Sequence, residues 1–221
     1  MPRTKIDSSR IKEIYDDISP TYDRREVIFD FLFLRKHRRK LCSQAEGHVL
    51  EVGIGTGKNF NFYPHDTHIT GVDISPGMLE VAQERADTHD RVVRLMQMDA
   101  HDLIFPDDHF DTVVSTLSLC TFLDPIAALL EMARVAKPEG RIFLLEHGRS
   151  SYPRISRLLD KWAPKQIAKY GCHPNRNILA LVQAANLQIM HCNRFLFGTI
   201  YAIECSGIEP KSPMRQSEFG S

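Results

Sequence analysis

Three glycines alternate with other residues in Gly53-Ile54-Gly55-Thr56-Gly57, directly after apolar Val49, Leu50 and Val52 and the acid Glu51. A backbone without a Cβ can turn sharply and lie close against a bound group. Asp73 lies 20 residues past Gly53, at the end of a second apolar run, His68-Ile69-Thr70-Gly71-Val72. In an open α/β sheet, a carboxylate at that place accepts both hydroxyls of a ribose. The spacing therefore describes a pocket for a nucleoside-containing cofactor. Asp99 and Ala100, then Thr116 and Leu117, end two more apolar runs, and His147 ends another. Histidine has an unperturbed pKa near neutrality, which makes His147 the candidate proton acceptor.

The glycine pattern narrows the choice of cofactor. A dinucleotide fingerprint needs its third glycine at the sixth position. Counted from Gly53, that position holds Lys58. The Glu51-x-Gly53-x-Gly55-x-Gly57 turn instead resembles the first motif of the class I S-adenosylmethionine-dependent methyltransferases. His68 to Leu79, with Asp73-Ile74-Ser75-Pro76, is similar to their second strand and following helix. Met98-Asp99-Ala100 resembles the end of their third strand, and Phe110 to Ser115 their fourth. Lys137-Pro138-Glu139-Gly140 resembles the turn before the fifth. The similarity runs over residues 10 to 205, in the family's order.

This resemblance implies S-adenosyl-L-methionine as cofactor and S-adenosyl-L-homocysteine as product. It implies that Gly53, Gly55 and Gly57, with Glu51, form the loop at the methionine portion. Asp73 would bind the ribose, with Ile74 and Met78 along the adenine. Asp99 would accept from the adenine amino group and the Ala100 amide would donate to a ring nitrogen. Thr116 and Leu117 would border the sulfonium. Tyr22 would close over the methionine carboxylate or pack as a lid aromatic. Plainer readings stand beside two of these, with Asp99 as a helix cap and Glu51 as a brace for the turn.

The elements that must position these residues alternate. Strands are expected near 47–52, 68–73, 91–98, 110–116 and 141–146, and helices near 57–62, 76–86 and 124–136, which implies a parallel sheet with helices on both faces. Ser75-Pro76 reads as a cap followed by a first-turn proline. After Glu146 a helical insert spans 151–172, and a core helix follows at 174–185. Strands at 187–194 and 198–204 are joined by a turn too short for a parallel crossover, so they form an antiparallel hairpin. The expected fold is α/β, a doubly wound, mostly parallel seven-stranded sheet with an antiparallel C-terminal hairpin. Helices at 8–17 and 24–42, broken at Ser19-Pro20, form an N-terminal lid over residues 1–45. The cofactor domain spans 46–205, and 206–221 is expected to be a disordered tail.

Bulk properties exclude several classes. The 221 residues carry no net formal charge, and 43% are hydrophobic, as in a globular domain with a full core. No apolar run approaches a membrane span, and polar residues follow the first basic ones where a signal peptide would need an apolar stretch. Five cysteines, at 42, 120, 172, 192 and 205, include no Cys-x-x-Cys pair, which suits reduced thiols in a cytoplasmic protein. Cys192 and Cys205 are expected in the core. Cys172-His173 invites a metal reading, but without a second ligand pair no metal is expected.

The acceptor is read less directly. Thr116-Leu117-Ser118-Leu119 does not resemble the motif of nucleobase amino-methyltransferases, and no extended basic, aromatic surface tracks a nucleic acid. A small hydrophobic or lipid-like acceptor is expected, and the chain's resemblance to the branch of quinone-biosynthesis C-methyltransferases, bacterial phosphatidylethanolamine N-methyltransferases and animal thiol methyltransferases implies a quinone precursor, a phospholipid amine or a thiol. Cys120 would be a wall of its pocket, and Glu146 would orient His147 or cap the following helix. Residues 24–40 run from apolar Val27 to Leu34 into basic Arg35 to Lys40. They read either as a packed lid or as a helix resting peripherally on an anionic membrane. Two rivals remain, a nicotinamide-dependent oxidoreductase and a cofactor-binding module without catalysis.

Overall fold

A computed structural model describes residues 6–206. Its seven strands are β1 (His48–Val52), β2 (His68–Asp73), β3 (Val93–Gln97), β4 (Phe110–Thr116), β5 (Ala136–His147), β6 (Gln188–Phe195) and β7 (Ile200–Ser206). They form one sheet in the order β3-β2-β1-β4-β5-β7-β6. Pairings through β5 are parallel, and β7 runs antiparallel to both β5 and β6. This is the expected doubly wound sheet with its terminal hairpin.

β1 sits at the centre, so both its faces must be apolar. Leu50 and Val52 face one core with Leu129, Met132 and Val182, while Val49 faces the other with Leu41, Ala82 and Phe143. Each fully buried aliphatic side chain there contributes about 2 kcal/mol. Helices α3 (Pro76–Thr88) and α4 (Pro125–Val135) start on matched signals. Ser75 and Asp124 accept backbone N–H groups of the first turn, and proline follows each cap. α5 (Pro153–Tyr170) ends at Gly171 in the left-handed region, and α6 (Ile178–Ala184) is capped by Asn177.

Several boundaries differ from the sequence reading. No break occurs at Ser19-Pro20: α1 runs unbroken from Ser8 to Phe29, passes through a π-type stretch Asp30–Leu34, and continues as α2 (Arg35–Cys42). Proline removes the N–H that Asp16 C=O would accept, but the Ser19 hydroxyl donates to that carbonyl at 3.0 Å. The helix expected over 57–62 is only a 3₁₀ turn, Phe60–Phe62. β5 begins before Lys137-Pro138-Glu139-Gly140 and absorbs that turn in a register shift opposite Phe110. Cys205 is buried as expected, but Cys192 is exposed, because β6 is an edge strand with no fully buried position. Ser206 closes β7, and the expected tail beyond it lies outside the described residues.

Candidate active site

The glycine turn is held against the neighbouring strand by its own backbone. Gly53 and Ile54 N–H groups donate to Val72 C=O at 2.9 and 3.0 Å. Gly53 adopts φ +70°, and a Cβ there would lie 2.4 Å from Ser118 Oγ. Gly55 also has positive φ, +55°, but a Cβ on it would meet no protein atom within 4 Å. Its side faces a cavity instead. Gly53, Gly55, Asp73, Ile74, Met78, Asp99, Ala100, Thr116 and Leu117 all line that cavity, and so does Tyr22. Glu51, Gly57 and His147 are placed elsewhere.

Asp73 is fixed from both sides. One oxygen accepts Gly55 N–H at 2.8 Å and the other accepts Ser75 N–H at 2.9 Å. Burial raises its pKa, while these amides oppose the rise. Asp99 accepts the His101 N–H and the Ser8 hydroxyl, so it braces its own turn and the start of α1 while facing the cavity.

Glu51 lies fully buried beneath the turn. It accepts from Asn59 Nδ2 at 2.6 Å and from the Tyr63 hydroxyl at 2.8 Å. Desolvation raises its pKa to about 7 against those hydrogen bonds. Asn59 continues to Thr116, and Arg38 joins both, donating to Asn59 Oδ1 and Thr116 Oγ1 while pairing with Asp30 at 2.8 Å. Arg38 lines the cavity as well. Nothing in the basic run Arg35 to Lys40 distinguished this one buried arginine from its solvated neighbours. The π-type stretch turns it inward.

α1 crosses over the open end of the sheet. Asp16 accepts the Ser75 hydroxyl at 2.6 Å and Gly77 N–H at 3.0 Å. Asp23 accepts the Thr56 hydroxyl at 2.8 Å and pairs with Arg85. These bonds set Tyr15 and Tyr22 above the cavity, with Lys58 Nζ 5.2 Å from the centre of the Tyr22 ring. Leu117 has φ +57°, a conformation that non-glycine residues rarely adopt and that concentrates at functional sites.

Tyr15, Tyr22 and Leu117 also line a second cavity of about 660 Å³. Its walls include Ile18, Phe29, Leu159, Trp162 and Leu196. Cys120, His147 and Cys172 line it too, and His147 Nε2 is 3.4 Å from the Cys172 sulfur. Hydrogen bonding with Cys120, and then with His147, lowers the Cys172 pKa against the cost of burial. Burial disfavours the charged form of His147, but its bond to Cys172 and the charge of Glu146 outweigh that and raise its pKa. Glu146 neither touches a helix start nor bonds to His147. It is buried and accepts Ser118 N–H, Leu119 N–H and the Ser115 hydroxyl, which fixes the loop after β4.

A sheet in this order, with its seventh strand reversed and a cleft lined by the carboxyl ends of its strands, is the class I methyltransferase fold. The solved structure of the [4+2]-cyclase SpnF superposes with a TM-score of 0.74 at 17% identity, covering 91% of this chain and 96% of that one. Residues 50–144 match the family described as "Methyltransferase domain". A phosphatidylethanolamine N-methyltransferase of Cereibacter sphaeroides is 37% identical over 140 residues, 60% of this chain and 68% of that protein. A demethylmenaquinone methyltransferase of Clavibacter sepedonicus is 32% identical over 156 residues, 68% of this chain and 63% of that protein. The mitochondrial methyltransferase OMS1 of Saccharomyces cerevisiae is 29% identical over 191 residues, 78% of this chain but 41% of that protein's length. The chain belongs to the S-adenosylmethionine-dependent methyltransferases, and S-adenosylmethionine is its cofactor.

Proposed function

We propose that the protein transfers the methyl group of S-adenosylmethionine to a small hydrophobic or lipid-like acceptor. The observation that carries this reading is the second cavity, which adjoins the cofactor pocket at Tyr15, Tyr22 and Leu117 and is walled mainly by apolar side chains. Its volume suits a small organic ligand. In this reading Asp73 holds the ribose, Asp99 and Ala100 the adenine, and Arg38 and Tyr22 face the methionine carboxylate. Glu51 and Gly57 act from beneath, by shaping the turn.

The sulfonium is already a reactive methyl donor, so alignment and exclusion of water supply much of the rate. The nucleophile approaches behind the methyl carbon, a new bond forms, and the carbon–sulfonium bond breaks to release S-adenosylhomocysteine. An acceptor that carries a proton gives it to the His147–Cys172 pair in the cavity wall. Similarity to a phosphatidylethanolamine N-methyltransferase and a demethylmenaquinone methyltransferase supports lipid amines and quinone precursors as the first acceptors to examine.

Phe29 at the end of α1 and Trp162 on α5 both line this cavity and are exposed at the surface. Ile28, Phe31 and Leu32 beside it are 72, 63 and 62% exposed, and exposed Leu158 and Phe197 lie on the neighbouring elements. Basic Arg24, Arg25, Arg35, Lys36, Arg39 and Lys40 flank this patch. An apolar rim with basic flanks suits peripheral contact with an anionic membrane from which a lipid acceptor would enter. Among the described residues, no helix is long and apolar enough to cross one. Incubation with methyl-deuterated S-adenosylmethionine and a panel of lipids, quinones and thiols, read by mass spectrometry, tests the assignment. Labelled product is expected from an apolar acceptor. Label confined to polar metabolites would refute that acceptor class.

A further inference from the structure

Cys120, His147 and Cys172 come from three separate parts of the chain and meet at one point. Cys120 lies in the loop after β4, His147 ends β5, and Cys172 follows the left-handed cap of α5. One sulfur or nitrogen atom from each lies within 4.8 Å of the other two, and theirs is the one such histidine, cysteine or carboxylate trio among the described residues.

The backbone around them is fixed. His173 N–H donates to Cys120 C=O at 2.8 Å, which ties the two cysteine segments together. The Arg176 guanidinium donates to Leu119 C=O, and Glu146 accepts Leu119 N–H. All three side chains face the acceptor cavity.

Two sulfurs and an imidazole nitrogen are the donor set of a zinc site with an open fourth position. Zinc–nitrogen and zinc–sulfur bonds of about 2.0 and 2.3 Å place tetrahedral ligand atoms roughly 3.3 to 3.8 Å apart. The 3.4 Å separation of His147 Nε2 and the Cys172 sulfur already falls in that range. Since no separation in the trio exceeds 4.8 Å, the widest needs to shorten by at most about 1 Å, within reach of a cysteine rotamer change.

We propose that Cys120, His147 and Cys172 bind one zinc ion through two thiolates and an imidazole nitrogen, leaving a fourth position toward the acceptor cavity. The placement of the acceptor there rests on the proposed function, but the metal site itself does not. With the ion bound, both thiol protons are released to solvent and His147 holds metal instead of a proton, so proton acceptance by the His147–Cys172 pair belongs to the metal-free protein, and an acceptor that binds the ion as its anion gives its proton to solvent. An acceptor's soft atom or a water would occupy the open position.

Cobalt(II) is the probe, because its thiolate complexes absorb through charge transfer from sulfur to metal. Titrated into the reduced, metal-stripped full chain, cobalt should give that absorption at one equivalent, and zinc should displace it. Cys120→Ser and Cys172→Ser should each weaken zinc binding by at least about 100-fold, more than the loss of an outer partner causes. Exposed Cys192→Ser should leave it unchanged. Calorimetric binding of S-adenosylhomocysteine reports whether each variant is folded. A protein that binds S-adenosylhomocysteine but shows no thiolate absorption with cobalt overturns the metal site while leaving the transferase reading intact. So does stoichiometric binding that survives in the Cys120→Ser/Cys172→Ser double variant. If either serine variant fails to bind S-adenosylhomocysteine, the wild-type titration and His147→Gln decide the matter.

Discussion

The Asp73 carboxylate accepts the Gly55 N–H at 2.8 Å, which ties the end of β2 to the glycine turn after β1. One bond thus joins the two features from which a nucleoside pocket is read. It also leaves Asp73 half-buried at the cavity wall with lone pairs to spare for a ribose.

Asp73→Ala should therefore cost affinity beyond any local loosening. A hydrogen bond to a charged group contributes about 1.5 to 3 kcal/mol, so S-adenosylhomocysteine should bind at least about tenfold more weakly. Calorimetric titration, with circular dichroism as a check on folding, measures this. Unchanged affinity in a folded variant would remove Asp73 from the site.

Gly53 and Gly55 should behave differently when each becomes alanine. Both take positive φ, which costs a side-chain-bearing residue about 1 to 2 kcal/mol. Only at Gly53 would the new methyl also run into Ser118 Oγ, whereas at Gly55 it would project into the cavity. Gly55→Ala should remain folded, with a modestly lowered Tm, yet bind S-adenosylhomocysteine at least about tenfold more weakly. Gly53→Ala should lose more stability. The reverse order in thermal melts would contradict the placement of these two residues.

The turn, Asp73 and the terminal hairpin were legible because each is local: glycine spacing, one acid at a strand end, a link too short to cross over. Other features were not, because they depend on partners far along the chain. Pro20 reads as a helix break until the Ser19 hydroxyl is seen on Asp16 C=O. Cys192 alternates like a core residue, but its strand lies at the sheet edge. Arg38 belongs to a basic run and is buried only because the π-type stretch rotates it toward Asn59 and Thr116. Cys120, His147 and Cys172 show no ligand spacing in sequence; the sheet and the loop after α5 assemble them.

Glu51 gives a pH signature. Its folded pKa, about 7, lies above the ordinary 4.5 because burial penalises the charge. The folded state then holds a proton that the unfolded state has released, so stability falls as pH rises from 4.5 through 7. Relative to Glu51→Gln, the cofactor-free wild-type protein should lose up to about 3 kcal/mol across that window. Denaturant unfolding at a series of pH values measures the difference. Parallel stability profiles would show that Glu51 titrates normally.

The apolar rim predicts an ionic-strength-dependent membrane interaction. Co-sedimentation should be greater with anionic than with neutral vesicles and should fall with added salt. Replacing Ile28, Phe31 and Leu32 together by serine should reduce it with little change in Tm, since these side chains are already exposed. Equal recovery with neutral and anionic vesicles would leave the rim without that role.

Ile18 lines the second cavity but not the cofactor pocket, so Ile18→Trp fills the proposed acceptor site and spares the other. Transfer of a deuterated methyl group to the acceptor identified from the panel, measured beside S-adenosylhomocysteine affinity, is the most direct comparison. The variant should keep cofactor affinity within about twofold while its methyl transfer falls at least about tenfold. Full transfer by a folded variant with a filled cavity would show that the acceptor binds elsewhere.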